Sequence, residues 1–276
     1  MADPSRKFVR SLTGLWGPGY WVTWHPSSRQ ALGAYGTVLK RTVVPVGNLR
    51  DQDIESASVD PRTDDGLVWY TKGAVEVTHG TVAQTGVPVA NLADAQGRMK
   101  VTFTRKYAVL VVYQGLSEHH LASQPKVAKQ LLNRYLAGDW ELDWCVVSHL
   151  VTAQSGTVLM AREKGATIEF TARATAGAGP AGLADLASKA RSTHSSELVC
   201  ELVGATVTPF YRVLRLRRRF LRGIEAAYGY VPGLRTSRDR PAEVPPEILE
   251  EIQDTPEAAL EYVPQPDPDP AVEEGE

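Results

Sequence analysis

Alternation of apolar and polar residues dominates the chain between residues 20 and 216, and this period of two is typical of half-buried β-strands. Lys100–Thr104 shows the alternation clearly, whereas Tyr107–Tyr113 is continuously apolar and predicts a strand covered on both faces. Ile168 and Phe170 alternate with polar neighbours in the same way. Strands are predicted at residues 20–24, 36–39, 42–44, 67–70, 74–78, 100–104, 107–113, 144–151, 157–160, 166–173, 196–203 and 206–216.

A period near 3.6 residues indicates a small number of helices between these strands. Ser5–Trp16 predicts an amphipathic helix that ends at the Gly17-Pro18-Gly19 turn. A second helix begins at Pro125 and stops at Gly138, and a third, short one covers Leu183–Arg191. The sequence therefore predicts an α+β fold class: a twisted, mainly antiparallel sheet with a few helices, followed by a disordered acidic C-terminal tail.

Charge divides the chain into two parts of opposite sign. Residues 241–276 hold 12 of the 32 acidic residues, none of the 30 basic residues and 8 of the 18 prolines. The formal charge is therefore −12 there and +10 in residues 1–240, although the whole chain carries only −2. We assign residues 1–235 to the α+β domain and residues 236–276 to an acidic, proline-rich tail, in which residues 264–270 should be extended and solvated.

The start of the tail carries apolar residues at helical spacing. Ile248, Leu249 and Ile252 follow Pro246, a residue suited to a helix N-terminus, and predict a short helix that docks in an apolar groove of the domain. The acidic residues of the tail would then lie near the basic run at 212–222. A docked tail of this kind would be autoinhibitory. The alternative is a tail that only improves solubility.

The N-terminal helix is the first of two basic surfaces that indicate an anionic partner. Arg6, Lys7 and Arg10 surround its apolar face, and Trp16 follows at its end. Basic helices favour anionic headgroups, and indole rings favour the membrane–water interface. These four residues are therefore predicted to bind anionic membrane lipids. The alternative is that the neighbouring tryptophans anchor the sheet.

The second basic surface is a run of six arginines within residues 212–222. Such a cluster grips the phosphates of lipid or nucleic acid. The alternative is a solvated strand end whose charge prevents aggregation. Neither a zinc finger, a helix-turn-helix nor an RNP-like aromatic motif accompanies the run, so sequence-specific recognition of nucleic acid is poorly supported. The predicted membrane-binding residues of this surface are Arg215, Arg217, Arg218, Arg219 and Arg222.

Catalytic and metal-binding motifs are missing from the sequence. It contains no phosphate-binding loop, dinucleotide fingerprint, Gly-x-Ser-x-Gly elbow or His-Glu-x-x-His pair, and its cysteines, Cys145 and Cys200, are too far apart for a zinc half-site. We therefore expect no catalytic residues, no metal and no cofactor, although a hydrolase stays open. With two cysteines, no secretory leader and no apolar run long enough for a membrane-spanning helix, a cytoplasmic location is expected.

The order of elements from Tyr20 to Arg222 resembles the pore-forming domain of gasdermins, particularly the compact bacterial members. The similarity lies in the early basic amphipathic helix, the twisted sheet, and the long alternating segments Lys100–Tyr113 and Trp144–Arg173. Leu183–Leu216 is similar to the closing part of that domain. Bacterial gasdermins often carry a lipidated cysteine near the N-terminus, whereas the first cysteine here is Cys145.

This resemblance implies a cytoplasmic, non-enzymatic effector of bacterial antiviral defence that a C-terminal element holds inactive. An activating protease would remove the tail, after which the protein would bind anionic lipids, form a homo-oligomer and permeabilise the membrane. The segments that become membrane hairpins would direct Val101, Phe103, Ile168 and Phe170 to lipid. The alternative is a non-enzymatic binding or scaffold protein that uses its basic face on nucleic acid or on an acidic protein partner.

Overall fold

Two antiparallel sheets form the framework of the computed structural model, which describes residues 3–24, 29–52, 62–79, 82–85, 98–171, 198–221 and 246–266. Within these ranges one sheet has eight strands and the other has four. In chain order the strands are β1 (Trp21–Val22), β2 (Ala34–Leu39), β3 (Thr42–Asn48), β4 (Arg62–Tyr70), β5 (Val75–His79), β6 (Val82–Thr85), β7 (Arg98–Phe103), β8 (Val109–His120), β9 (Cys145–Ala161), β10 (Thr167–Thr171), β11 (Leu198–Leu216) and β12 (Leu260–Tyr262). The helices are α1 (Pro4–Leu12), α2 (Gln124–Ala137), α3 (Pro246–Asp254) and α4 (Pro256–Ala259), with a 3-10 turn at Leu49–Gln52 and a helical turn at 218–221.

The central strand of the larger sheet is β9. It pairs along one edge with β11, and its other edge is shared between β8 and the start of β2. β4 lies outside β8, and β3 lies outside β2. The outer edge of β11 carries β1 opposite Phe210 and Tyr211, and β12 opposite residues 214–216. The two short strands β1 and β12 therefore follow one another along the same edge.

β9 and β11 are each longer than the sequence predicts. The predicted strands at 144–151 and 157–160 are one strand of 17 residues, and those at 196–203 and 206–216 are one of 19. The predicted breaks are wrong. Gly156 does not end a strand, because it is a glycine at a position where neighbouring side chains leave no space for a Cβ. A Cβ at this glycine would lie 2.7 Å from the Val207 side chain and 3.0 Å from the Tyr113 ring, while the ladder continues through it.

Apolar residues of β7 and β10 fill the space between the two sheets. Val101 and Phe103 are fully buried and Ile168 nearly so, whereas the alternating Lys100 and Glu169 are exposed. The buried side chains pack with apolar residues of β8 and β9. The predicted alternation of these strands is confirmed, and so is the coverage of β8, whose first five residues are all buried.

The caps of the helices follow from their flanking residues. Asp3 caps α1 by accepting a 3.0 Å hydrogen bond from the Ser5 amide, and Phe8 and Leu12 are fully buried. α1 ends earlier than predicted, since Gly14 adopts a left-handed φ of +79°. α2 ends, as predicted, where Gly138 takes the same conformation. The helix predicted at 183–191 lies outside the described residues.

The α+β fold class with a twisted, mainly antiparallel sheet and few helices is confirmed. Within the acidic tail, the helix predicted after Pro246 is present as α3. α4 and β12 follow it, and the described part of the tail ends at residue 266. The domain boundary at residue 235 stays a prediction.

Replacing Gly36 should destabilise the β2–β3 hairpin and the sheet that it joins. A Cβ at this position would lie 2.0 Å from the Val44 carbonyl oxygen and 2.9 Å from the Val46 nitrogen, both of them backbone atoms. We expect Gly36→Ala to lower the free energy of unfolding by about 2 kcal/mol or more, as overpacking does. The measurement is the urea midpoint. Gly17→Ala is the matched control, because its Cβ would meet only the Tyr20 ring at 3.6 Å. Equal midpoints for the two variants would show that the hairpin is not packed as described.

Candidate functional site: the docking surface of the C-terminal segment

The C-terminal segment, residues 246–266, lies against the rest of the protein through three connected stretches. α3 packs on α2, β12 extends the sheet at β11, and the residues after β12 reach β1. We call the surface that the segment covers the docking surface. It consists of one face of α2 and the outer edges of β11 and β1.

α3 docks through the residues that the sequence singles out. Ile248 is 7% exposed and Ile252 is 1% exposed, and both belong to one apolar cluster with Val127 and Leu131 of α2. Because they are four residues apart, both isoleucines lie on the same face of the helix. The side chain of Leu249, the third predicted docking residue, lies outside the described residues.

β12 continues the ladder of the larger sheet. It pairs antiparallel with residues 214–216. One further backbone hydrogen bond flanks the ladder at each end: the Arg217 amide donates to the Ala259 carbonyl at 2.8 Å, and the Val263 amide donates to the Val213 carbonyl at 2.9 Å. The segment therefore satisfies backbone groups of β11 that would otherwise form an open sheet edge.

Beyond β12, hydrogen bonds between side chains and backbone groups hold the segment. The Trp21 indole donates to the Val263 carbonyl at 2.8 Å. The Gln265 amide accepts from the Val22 amide and donates to the Val22 carbonyl, both at 3.0 Å. It thereby occupies the outer edge of β1 as a strand residue would. The same amide nitrogen also lies 3.1 Å from the Arg41 carbonyl, in the turn between β2 and β3.

Charge contributes one described ion pair between the segment and the arginine cluster. Arg215 donates to Glu261 at 2.7 Å, and about a third of each side chain is exposed. An exposed pair contributes only about 0–1 kcal/mol. Arg218 pairs instead with Asp143, in the loop before β9. Of the other predicted cluster residues, Arg217 is half-buried, Arg219 is exposed, and Arg222 lies outside the described residues.

The basic residues of α1 lie on the outside of a helix whose apolar face is already buried. Lys7 and Arg10 are exposed, and Arg6 is half-buried. Asp3, at the start of the helix, pairs with Arg41 at 2.9 Å and so ties α1 to the β2–β3 turn. Burial would raise the pKa of Asp3, but hydrogen bonds from Ser5 and Arg41 outweigh it and lower that pKa.

Trp16 packs on a face of the larger sheet, over β8, β9 and β11. Its ring stacks on Phe210 at 6.1 Å, and its indole N–H donates to a Glu118 carboxylate oxygen at 3.3 Å. The binding of membrane lipid by α1, Trp16 and the arginine cluster stays a prediction. So does the insertion of Val101, Phe103 and Ile168, which are buried between the sheets, and of Phe170, whose side chain lies outside the described residues.

A row of polar residues crosses three neighbouring strands beside the docking surface. His120 of β8 pairs with His149 of β9, which pairs with Arg212 of β11. The two imidazole rings stack with centroids 5.5 Å apart and planes 20° apart. Tyr262 of the C-terminal segment lies over this row, with its ring centroid 4.0 Å from the Arg212 guanidinium carbon and 6.0 Å from the His149 ring.

Burial and neighbouring charge set the ionisation of this row. Burial lowers the pKa of His149 to about 4, with Arg212 and His120 acting in the same direction and Glu118 opposing them. Tyr20 donates to Glu118, and burial together with that carboxylate raises the pKa of its hydroxyl well above the usual range. Near pH 7 the covered His149 is therefore neutral.

Neither cysteine chemistry nor a metal site appears in the part of the chain that the structure describes. Cys145 is buried in β9, and burial raises the pKa of its thiol to about 11. Among the described residues, no group of three or more histidine, cysteine, aspartate or glutamate side chains is arranged to hold a metal ion. Nor is any described helix both long enough and apolar enough to cross a membrane.

Comparisons with known proteins include a structural likeness to a solved protein. No protein family model matches the chain, and no curated protein matches it in sequence. A search of solved structures finds a bacterial gasdermin from Bradyrhizobium tropiciagri at 12% identity, covering 79% of this chain and 88% of the gasdermin chain. The chain is weakly similar to this gasdermin. The TM-score is 0.29, so the likeness assigns no role to any residue, but it is to the family that the sequence pattern resembles.

Two parts of the site escape sequence reasoning. The spacing of the histidines in the sequence does not predict the row, because His120 and His149 are brought together only by the register of β8 on β9. The contact of Gln265 with Val22 joins residues that are 243 positions apart, and nothing in either neighbourhood predicts it. The alternation of Leu260, Glu261 and Tyr262 was the available signal for β12.

Truncating Ile252 should loosen the C-terminal segment. This residue is 1% exposed, and deleting most of a buried isoleucine side chain costs about 2–5 kcal/mol. We expect Ile252→Ala to speed amide hydrogen exchange at Val263 while the amides of β8 and β9 keep their protection. Glu251→Ala, an exposed change on the same helix, is the control and should leave both unchanged. Unaltered exchange at Val263 in Ile252→Ala would mean that α3 does not hold the segment.

Proposed function

We propose that this protein is a membrane-permeabilising effector that its own C-terminal segment holds inactive. In this proposal the intact protein is a cytoplasmic monomer. Once the segment leaves, the protein binds anionic lipid, associates with further copies of itself and permeabilises the bilayer. The observation that carries the proposal is the position of the segment, which covers an apolar face of α2 and closes the outer edge of β11 at once.

Departure of the segment would create an adhesive surface. The apolar partners of Ile248 and Ile252 on α2 would meet water, and residues 213–217 of the β11 edge would lose their backbone partners. An open edge of this kind pairs readily with another strand. The arginines at the end of this strand favour an anionic surface, and the open edge favours pairing with a strand of another copy.

The exposed basic residues supply attraction to a membrane. Lys7 and Arg10 are exposed on α1, Arg219 is exposed after β11, and residues 1–240 carry a formal charge of +10. Each basic residue near an anionic surface contributes about 1 kcal/mol. Loss of the −12 tail removes an acidic competitor for these charges.

The smaller sheet offers segments suited to insertion. In β7 and β10, buried Val101, Phe103 and Ile168 alternate with exposed Lys100 and Glu169. A membrane-spanning strand requires this pattern, with one face toward lipid and the other toward water. In the intact protein the apolar face is already satisfied by β8 and β9, so insertion requires the smaller sheet to leave the larger one.

Cutting the chain before the C-terminal segment should switch on vesicle leakage. A protease recognition sequence placed at residues 236–240 allows the same preparation to be compared before and after cleavage. We expect the intact protein to be monomeric and inactive on vesicles containing anionic lipid, and the cut protein to release dye and to oligomerise. Excess peptide corresponding to residues 246–266 should suppress leakage. Absence of leakage after complete cleavage and separation of the tail, or leakage unaffected by cleavage, contradicts the proposal; nucleic-acid binding without leakage would favour a binding protein.

Reversing the charge of α1 should weaken lipid binding by the cut protein. We expect Lys7→Glu with Arg10→Glu to weaken binding to anionic vesicles by about 2 kcal/mol or more, at about 1 kcal/mol or more for each reversed charge. Adding Arg6→Glu should extend the loss. Arg162→Glu with Lys164→Glu, two exposed changes in the turn between β9 and β10, is the charge-matched control for the double variant. Co-sedimentation with vesicles gives the affinity, and equal binding by all variants would remove α1 from the mechanism.

A further inference from the structure

The row formed by His120, His149 and Arg212 brings three groups that can carry positive charge onto adjacent strands. His149 stands in the middle, in register with His120 on one side and Arg212 on the other. Cross-strand neighbours of this kind interact directly, and like charges facing one another there are destabilising. A positive charge on the central imidazole would therefore destabilise the row.

The groups around His149 come from every element that packs against it. Glu118 and His120 belong to β8, Arg212 belongs to β11, and Tyr20 precedes β1 with its ring 6.2 Å from the imidazole. On its own strand, Ser148 Oγ lies 3.1 Å from His149 Nδ1. Glu118 is the only carboxylate among these groups, and Tyr20 and Trp16 already donate hydrogen bonds to it. It offsets only one of the positive charges that the row can hold.

Tyr262 of the C-terminal segment covers His149 and Arg212. The Tyr262 ring lies against His149 and makes a cation–π contact with the Arg212 guanidinium. Its hydroxyl accepts a 2.8 Å hydrogen bond from Gln124 at the start of α2. Departure of the segment would remove this ring and admit water to the imidazole. The ionisation of His149 and the position of Tyr262 are thus physically coupled.

We propose that docking of the C-terminal segment is proton-linked: acidification favours its release because the uncovered row takes up a proton at His149 that the covered row excludes. This deepens the proposed function, on which it rests for the meaning of release, by naming what regulates the docking surface. The docking equilibrium itself can be measured without any membrane.

The sign of the effect follows from linkage. While covered, His149 has a pKa of about 4; uncovered, that pKa moves toward the usual 6.5. Above the higher value both states are neutral and pH has no effect. As pH falls between the two values, the released state binds more protons, so docking weakens. A complete pKa change would weaken docking roughly 25-fold between about pH 7.5 and pH 5, and we expect about tenfold because β8 and β11 still cover part of the ring.

Hydrogen exchange on the intact, full-length protein tests the proposal. After correction for the intrinsic pH dependence of exchange, protection of the Val263 amide should fall about tenfold between about pH 7.5 and pH 5. His149→Gln should abolish the fall. His119→Gln is the matched control, because neighbouring strand residues point to opposite faces, and it should keep it. Amides of β8 and β9 should stay protected throughout.

Three results of the exchange experiment would overturn the proposal. One is an unchanged fall in His149→Gln, and another is no fall in the wild-type protein. The third is equal loss of protection in β8 and β9, which would mean global acid unfolding. Because destabilisation by the substitution could confuse exchange, proton uptake on cleavage is a second measurement: near pH 5.5 the wild-type protein should take up protons when its tail is separated, and absence of uptake overturns the proposal. A positive result in exchange with no vesicle leakage would contradict the proposed function alone.

Discussion

Antiparallel pairing of β9 with β11 is the constraint on which the rest of the structure depends. β8 and β2 pair with the edge of β9 that faces away from β11, and β1 and β12 pair with the edge of β11 that faces away from β9. A shift of one residue in this register would turn every side chain of β11 to the opposite face. The irregularities on either side of Phe210–Arg212 are therefore decisive, because they set which residues face His149 and which edge remains for β12.

Apolar and charged groups contribute differently to docking of the C-terminal segment. Burial of an isoleucine side chain contributes about 1.5–3 kcal/mol, so Ile248 and Ile252 outweigh the partly exposed pair of Arg215 with Glu261. Opposite net charges attract the tail to the body over a distance but define no position. Position comes from the helix face, the β12 ladder and the Gln265 amide together.

The sequence predicted the features that depend on residues close together in the chain. Pro246 and the spacing of Ile248 and Ile252 predicted α3, Gly138 predicted the end of α2, and the alternation at Val101 and Phe103 predicted a half-buried strand. Gly156 misled because a strand glycine resembles a break, and its cause is a close approach to Val207, far along the chain. The histidine row depends on strand register, which a single sequence does not encode locally.

Because the chain itself links the segment to its docking surface, cleavage changes how occupancy of that surface depends on protein concentration. While residues 221 and 246 remain joined, the segment meets its surface at an effective concentration of about millimolar, so even a weak contact stays occupied. A cut changes this into an ordinary bimolecular complex that obeys mass action. The severed segment then stays bound wherever the protein is more concentrated than the dissociation constant, and it departs where the protein is dilute. Breaking the chain and emptying the surface are thus separate events, and the second depends on how many copies share the same volume.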